Sequence, residues 1–149
     1  MNRLKEKGVY SIGENILAKL KSDFYGNCAG DDEAAETIKY LFEKYNYLCD
    51  THTAVAVNVY RKYLEETGDN TPCVIASTAS PYKFAPAVLE AVSGKKPSGS
   101  EFDMVAELSE STGTKIPAPL AGLADKAVLH TSCVEKEDMA KFIADFLGV

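Results

Sequence analysis

The sequence predicts an α/β chain, mostly helical, with about two short parallel strands buried on both faces. Cys73-Val74-Ile75-Ala76 is a short apolar run of the length expected for such a strand, reaching to Ser77. Ala127-Val128-Leu129-His130 repeats the pattern and extends to Thr131. Around these runs lie about six segments with apolar residues at helical spacing. Residues 1–149 read as one domain or sub-domain, without internal repeats or low-complexity tracts.

The helices are taken in order. Ser11 and Glu14 have capping-box spacing, and Ile16, Leu17 and Leu20 form one face of a first helix. Gly26 and Gly30 break the chain after it. Asp31, Asp32 and Glu33 then put negative charge at the start of a second helix, where the macrodipole favours it. A metal site is the lesser reading of that triplet. Ala35, Ile38, Leu41, Phe42 and Tyr45 carry the helix to about Asn46.

Asp50 is a good N-cap for a third helix running to Glu66 and ended by Gly68. Asn70-Thr71-Pro72 turns into the first strand. After it, Ala85, Val88, Leu89 and Val92 recur at helical spacing, with Pro86 tolerable in a first turn. Residues 93–99 form a loop, and Ser100 with Asp103 caps a short helix bearing Phe102, Val105 and Ala106. Ile116-Pro117-Ala118-Pro119 forbids regular helix, and Leu120 to Ala124 suits a single turn. Ser132 with Glu135 opens a last helix whose face is Met139, Phe142, Ile143, Phe146 and Leu147.

A chain of 149 residues with net charge −6 is long enough for one core and is ill suited to nucleic acid or an anionic membrane. No apolar run approaches the roughly 20 residues that span a bilayer. The charged start, Met1 to Lys7, has no apolar stretch after it and does not read as a secretory leader. The expected location is the cytoplasm. Cys28, Cys49, Cys73 and Cys133 have no metal-ligand rhythm and are expected to be reduced, small core residues.

Two strands are fewer than the roughly four to six of an ordinary sheet. Either the domain is helical with a small β element, or it belongs to a larger α/β protein whose other strands lie upstream. The stretch Ser77-Thr78-Ala79-Ser80-Pro81-Tyr82-Lys83-Phe84 sits where the first strand gives way to a helix. In open α/β sheets ligands bind there, although a capped turn explains the same hydroxyls.

Asp50-Thr51-His52-Thr53-Ala54, followed by Ser77-Thr78-Ala79-Ser80-Pro81-Tyr82-Lys83-Phe84, resembles the C-terminal part of threonine synthase. That family comprises pyridoxal-phosphate enzymes of the tryptophan-synthase-β-like fold (type II). The Gly30-Asp31-Asp32-Glu33 helix start, Tyr47-Leu48-Cys49-Asp50 and Phe142 to Leu147 extend the likeness over essentially the whole chain. The resemblance implies conversion of O-phospho-L-homoserine and water to L-threonine and phosphate. It also implies a Schiff-base lysine and a glycine-rich phosphate loop, both expected upstream of Met1. No catalytic residue is therefore assigned here, and the chain by itself is expected to be inactive and to bind the cofactor poorly. The rest of the same polypeptide is the expected partner. Two rivals remain: a stand-alone interaction or regulatory domain, and another β-replacement or elimination enzyme such as a threonine dehydratase.

By the same resemblance, Thr78 faces the pyridine nitrogen of the cofactor, with Ser77 and Ser80 as neighbouring cofactor-binding hydroxyls. A neutral hydroxyl moderates the electron sink that an aspartate there would strengthen. Turn capping is the alternative for Ser77 and Ser80. Lys83 lies near a helix N-terminus, where the dipole disfavours a cation by ~0.3–1 kcal/mol; a substrate phosphate or plain solvation answers that. His52 either hydrogen-bonds substrate or caps its helix, and Thr53 is grouped with it as substrate-binding. His130 is expected to be structural.

Overall fold

A computed structural model describes residues Asn2–Val149, which form two compact units, 2–116 and Pro117–Val149. The first unit contains six helices among its described residues: α1 (Asn2–Lys7), α2 (Glu14–Asp23), α3 (Asp31–Tyr45), α4 (Thr51–Thr67), α5 (Ala85–Ser93) and α6 (Glu101–Thr112). A 3-10 turn over Pro81–Phe84 leads directly into α5. The core is the packing of α3 on α4 and α5, and of α5 on α6. Ile38 from α3, Ala54 from α4, Val88 and Leu89 from α5, and Leu108 from α6 are its fully buried apolar side chains.

Local chemistry accounts for most boundaries. Glu33 reaches back to the Gly30 backbone N–H at 2.9 Å, closing the first turn of α3. Asn46, at φ 52°, ends α3 in the left-handed conformation that asparagine tolerates. Lys62 on α4 bridges Glu33 (2.6 Å) and the Cys28 carbonyl (2.8 Å), fixing the start of α3 against α4. That lysine is also the main reason Glu33 titrates below the ordinary carboxylate range. Gly68, at φ 66°, stops α4. Pro86 occupies the first turn of α5, and Ser100 with Asp103 forms the capping box of α6.

The expected strands do not form: among the described residues there is no strand, and the fold is helical. Residues 73–77 and 127–131 carry no regular structure. Val74 is 93% exposed and Leu129 82% exposed, so neither run is buried. A strand needs a partner for its backbone N–H and C=O groups, and no such partner lies beside either run here.

The helices differ from expectation as well. The helix expected to open at Ser11 is α2 and starts two residues later, with Gly13 at its cap, while the Ser11 hydroxyl turns to the Ile12 carbonyl. Its apolar face (Ile16, Leu17, Leu20) is exposed. On α6 the buried residue is Leu108, not Phe102. In the second unit, Lys136–Asp138 is a 3-10 turn without the Ser132 cap, followed by α7 (Met139–Leu147). The expected face of α7 is present but open, with Phe146 80% exposed. The short α1 was not foreseen.

Of the four thiols only Cys49 is buried; Cys28, Cys73 and Cys133 are exposed and unbridged. Burial, with the neighbouring Asp50 charge, pushes Cys49 up to about 11. A thiol titration of the native chain should therefore count Cys28, Cys73 and Cys133 quickly and Cys49 only on unfolding. Leu89→Ala should cost about 2–5 kcal/mol in urea unfolding. Val74→Ala should stay within about 0.5 kcal/mol, since its side chain packs against nothing. Equal costs for the two would contradict this core.

Candidate functional site

The motif at residues 50–53 and the hydroxyl stretch at residues 77–84 meet at the start of α4. Asp50 caps that helix: its Oδ1 accepts from the His52 backbone N–H at 2.8 Å and from that of Thr53 at 3.4 Å. The His52 ring Nδ1 lies 3.1 Å from the same oxygen. The Thr53 hydroxyl donates to Oδ2. Asp50 is 0% exposed, so these donors take the place of water around a buried charge. Burial alone raises its affinity for a proton. The Thr53 hydroxyl, the two backbone N–H groups and the His52 ring outweigh that, and the carboxyl titrates below its ordinary value.

Thr53 Oγ1 also lies 3.0 Å from Ser77 Oγ, the one side-chain bond between the two motifs among the described residues. Thr53 has a single hydroxyl proton, and the carboxylate is the stronger acceptor. Ser77 is therefore the donor in the second bond, giving a chain Ser77 O–H to Thr53 O–H to Asp50.

Of the residues expected to form a site, the structure brings His52, Thr53 and Ser77 together. The Phe84 ring packs against the His52 ring at a centroid distance of 4.9 Å, tilted by 57°. Ser80 caps the 3-10 turn, accepting from the Tyr82 backbone N–H at 3.3 Å. Thr78, just before this turn, and Lys83, on it, are exposed, with no side-chain hydrogen bond to the described residues. Tyr82 is buried and donates to the Thr114 carbonyl at 2.8 Å, tying the turn to the segment after α6. His130 is exposed in the second unit, outside regular structure.

Two grooves flank this region. The larger, ≈ 960 Å³, runs along α4 past Tyr60 and Tyr63 to Pro72–Ala76 and holds none of the expected site residues. The smaller, ≈ 500 Å³, is lined by His52 and Thr51 together with Ile38, Val55 and Ala87. Chemistry rather than volume selects the Asp50 cluster. Its hydrogen-bonded carboxylate, imidazole and hydroxyls converge on one spot. No group of three or more metal-ligating side chains occurs among the described residues, and Asp31 to Glu33 serve as the first turn of α3.

A family model described as "Threonine synthase, C-terminal" matches residues 53–143. The chain belongs to the threonine synthase C-terminal family. The threonine synthase of Schizosaccharomyces pombe is 36% identical over 94 residues, which are 62% of this chain and 18% of that protein. That of Saccharomyces cerevisiae is 33% identical over 109 residues, 70% of this chain and 21% of that protein. Among solved structures, a pyridoxal-phosphate-bound threonine synthase from Brucella melitensis superposes with a TM-score of 0.56 at 34% identity, over 71% of this chain and 22% of its own. The chain thus spans about a fifth of the length of these relatives. The family match takes in Thr53, Ser77, Thr78, Ser80 and Lys83, while Asp50 and His52 lie just before it.

Sequence reasoning recognised Asp50 only as a cap. Its burial and its tie to Ser77 depend on where the 77–84 turn lands. No helix among the described residues is long and apolar enough to cross a membrane.

Acid unfolding should register the carboxylates. Asp69 is held down to about 2 by the Thr71 hydroxyl, the Tyr63 hydroxyl and the Thr71 backbone N–H. Asp50 is depressed as well. Each contributes stability that is present in full above the unfolded carboxylate value, about 3.9, and is lost as pH falls through the folded value. The urea midpoint should hold from neutral pH to about 5, then fall between about 4 and 2. The fall should be shallower in Asp69→Asn; an identical profile in that variant would remove Asp69 from the account.

Proposed function

We propose that this chain supplies the ring-nitrogen side of a pyridoxal-phosphate site in a threonine synthase acting on O-phospho-L-homoserine and water. The observation that carries the reading is the Asp50–Thr53–Ser77 hydrogen-bond chain, which joins the two motifs beside the exposed Thr78 hydroxyl. Family membership and the pyridoxal-phosphate-bound relative support it.

The residues fit one end of that cofactor. Ser77 and Thr78 offer small hydroxyls of the kind that pair with a pyridine nitrogen. The lysine that links the cofactor and the cradle for its phosphate are assigned to the rest of the polypeptide. The bound cofactor supplies an electron sink for bonds at the substrate's α-carbon. Thr78 would hold its ring nitrogen through a neutral contact, one that would moderate the sink and suit elimination and replacement. Ser77, held from behind by Thr53, keeps the turn in register. Ser80 keeps the Tyr82 backbone in place. Lys83, exposed and without a carboxylate partner among the described residues, receives the substrate phosphate. His52 and Thr53 border the substrate on the α4 side.

Residues 73–77 are assigned to a sheet completed by the rest of the polypeptide, which explains a solvent-facing Val74. A cytoplasmic location accords with three exposed, unbridged thiols.

The test uses the full-length enzyme containing this chain. Thr78→Val leaves a ring nitrogen unsatisfied and should lower cofactor retention or turnover about ten- to a hundredfold. Thr78→Asp should reduce threonine formation while transamination side products rise in proportion. Ser77→Ala should cost less than either. Wild-type behaviour of Thr78→Asp in turnover, cofactor retention and product partition would take the ring contact away from Thr78.

A further inference from the structure

The geometry points to Asp50 as a positioning residue that fixes which way the protons of His52 and Ser77 face, leaving acceptor lone pairs of both turned toward the ligand. This extends the reading above by naming what orients its hydroxyl and imidazole. Its test needs no cofactor, so its failure would leave that reading standing.

An ionised carboxylate can only accept hydrogen bonds. Asp50 is buried without access to water, and both of its oxygens are taken. His52 Nδ1, at 3.1 Å from Oδ1, must therefore be a donor and carry a proton. The Thr51 hydroxyl, at 3.5 Å from the same nitrogen, is a longer second neighbour that does not compete with the charge. In the neutral ring the other nitrogen, Nε2, then holds the lone pair. The imidazole side chain is 66% exposed, so that nitrogen is open to a ligand. Phe84 against the ring holds its plane.

The same logic runs along the hydroxyls. Oδ2 takes the Thr53 proton, Thr53 Oγ1 takes the Ser77 proton, and Ser77 retains only lone pairs for its open side. One buried charge thus imposes a single sense on two groups from different segments. A ligand meeting them is matched when it brings a hydrogen-bond donor, such as a protonated nitrogen. It is mismatched when it brings a bare acceptor. Asp50 touches no ligand in this account and acts through His52 and Thr53.

The experiment is nuclear magnetic resonance on the 149-residue chain at neutral pH, with Asp50→Ser, Asp50→Asn and Thr53→Val as variants. Serine and asparagine are both good N-caps, so α4 should survive, and circular dichroism checks it. In the native chain, His52 should show a protonated Nδ1 and a lone-pair Nε2, while exposed His130 shows averaged nitrogens. The Thr53 hydroxyl proton should exchange slowly, and Ser77 should occupy one rotamer.

Asp50→Ser has one short hydroxyl that cannot serve both partners. His52 should then average as His130 does, and the Thr53 proton should exchange about ten- to a hundredfold faster. Asp50→Asn directs its oxygen to the three N–H donors and its amide to Thr53. It should keep the His52 tautomer while losing the slow Thr53 proton. Thr53→Val should leave His52 unchanged and let Ser77 rotate. A His52 that keeps its protonated Nδ1 in Asp50→Ser, or a Ser77 that keeps one rotamer in Thr53→Val, would overturn the assignment.

Discussion

A carboxylate buried without water must be fully met by donors or it does not stay charged, and this constraint at Asp50 organises the region around it. The cap of α4 supplies two backbone N–H groups, which any helix start with aspartate at its N-cap can do. What a cap does not ordinarily bring is a side-chain donor for the second oxygen. Thr53 provides it, and Thr53 in turn requires a partner, which arrives as Ser77 from 24 residues downstream. A local capping device thereby becomes a tertiary one, and the turn carrying Ser80, Lys83 and Phe84 is pinned to the head of α4.

The rest of the first unit keeps that junction in place. α5 packs against both α3 and α6, and its Val88 and Leu89 are buried. Since α5 follows the 77–84 turn without a break, positioning α5 also positions the turn. Tyr82 adds a second fixed point by reaching Thr114. At the other end of α4, Asp69 gathers the Tyr63 and Thr71 hydroxyls and the Thr71 N–H, which sets where the chain leaves toward Cys73. The stretch leading to Ser77 is thus fixed at both ends while its middle stays open to solvent.

Such openness fits a chain that spans about a fifth of its relatives. Exposed Val74, Leu129 and Phe146 are costly on a free surface and ordinary inside a larger body. Most of the buried residues instead belong to the four helices that pack on one another, joined by Cys49 and Asp50 before α4 and Tyr82 before α5. The family resemblance visible in the residues and the family found by comparison are the same, and the helical core holds both motifs that carry it.

Helix ends in the packed core were legible in the sequence because capping is local, whereas the expected caps at Ser11 and Ser132 do not form. Asp50 before α4, Ser100 with Asp103 before α6, the acidic first turn of α3 and Gly68 after α4 all act within a turn of chain, and each stands where the residues placed it. The His52-Thr53 and Ser77-Thr78 motifs were legible for the same reason, as short strings with a recognisable chemistry. Burial was not. Cys73 to Ala76 and Ala127 to His130 have the composition of buried strands, yet a strand exists only through a neighbour's hydrogen bonds, which a one-dimensional pattern does not contain. Nor could composition tell that Asp50 would lie under Ser77. That pairing was decided by the packing of α5 on α3, and only tertiary structure turned a helix cap into a link between two distant motifs.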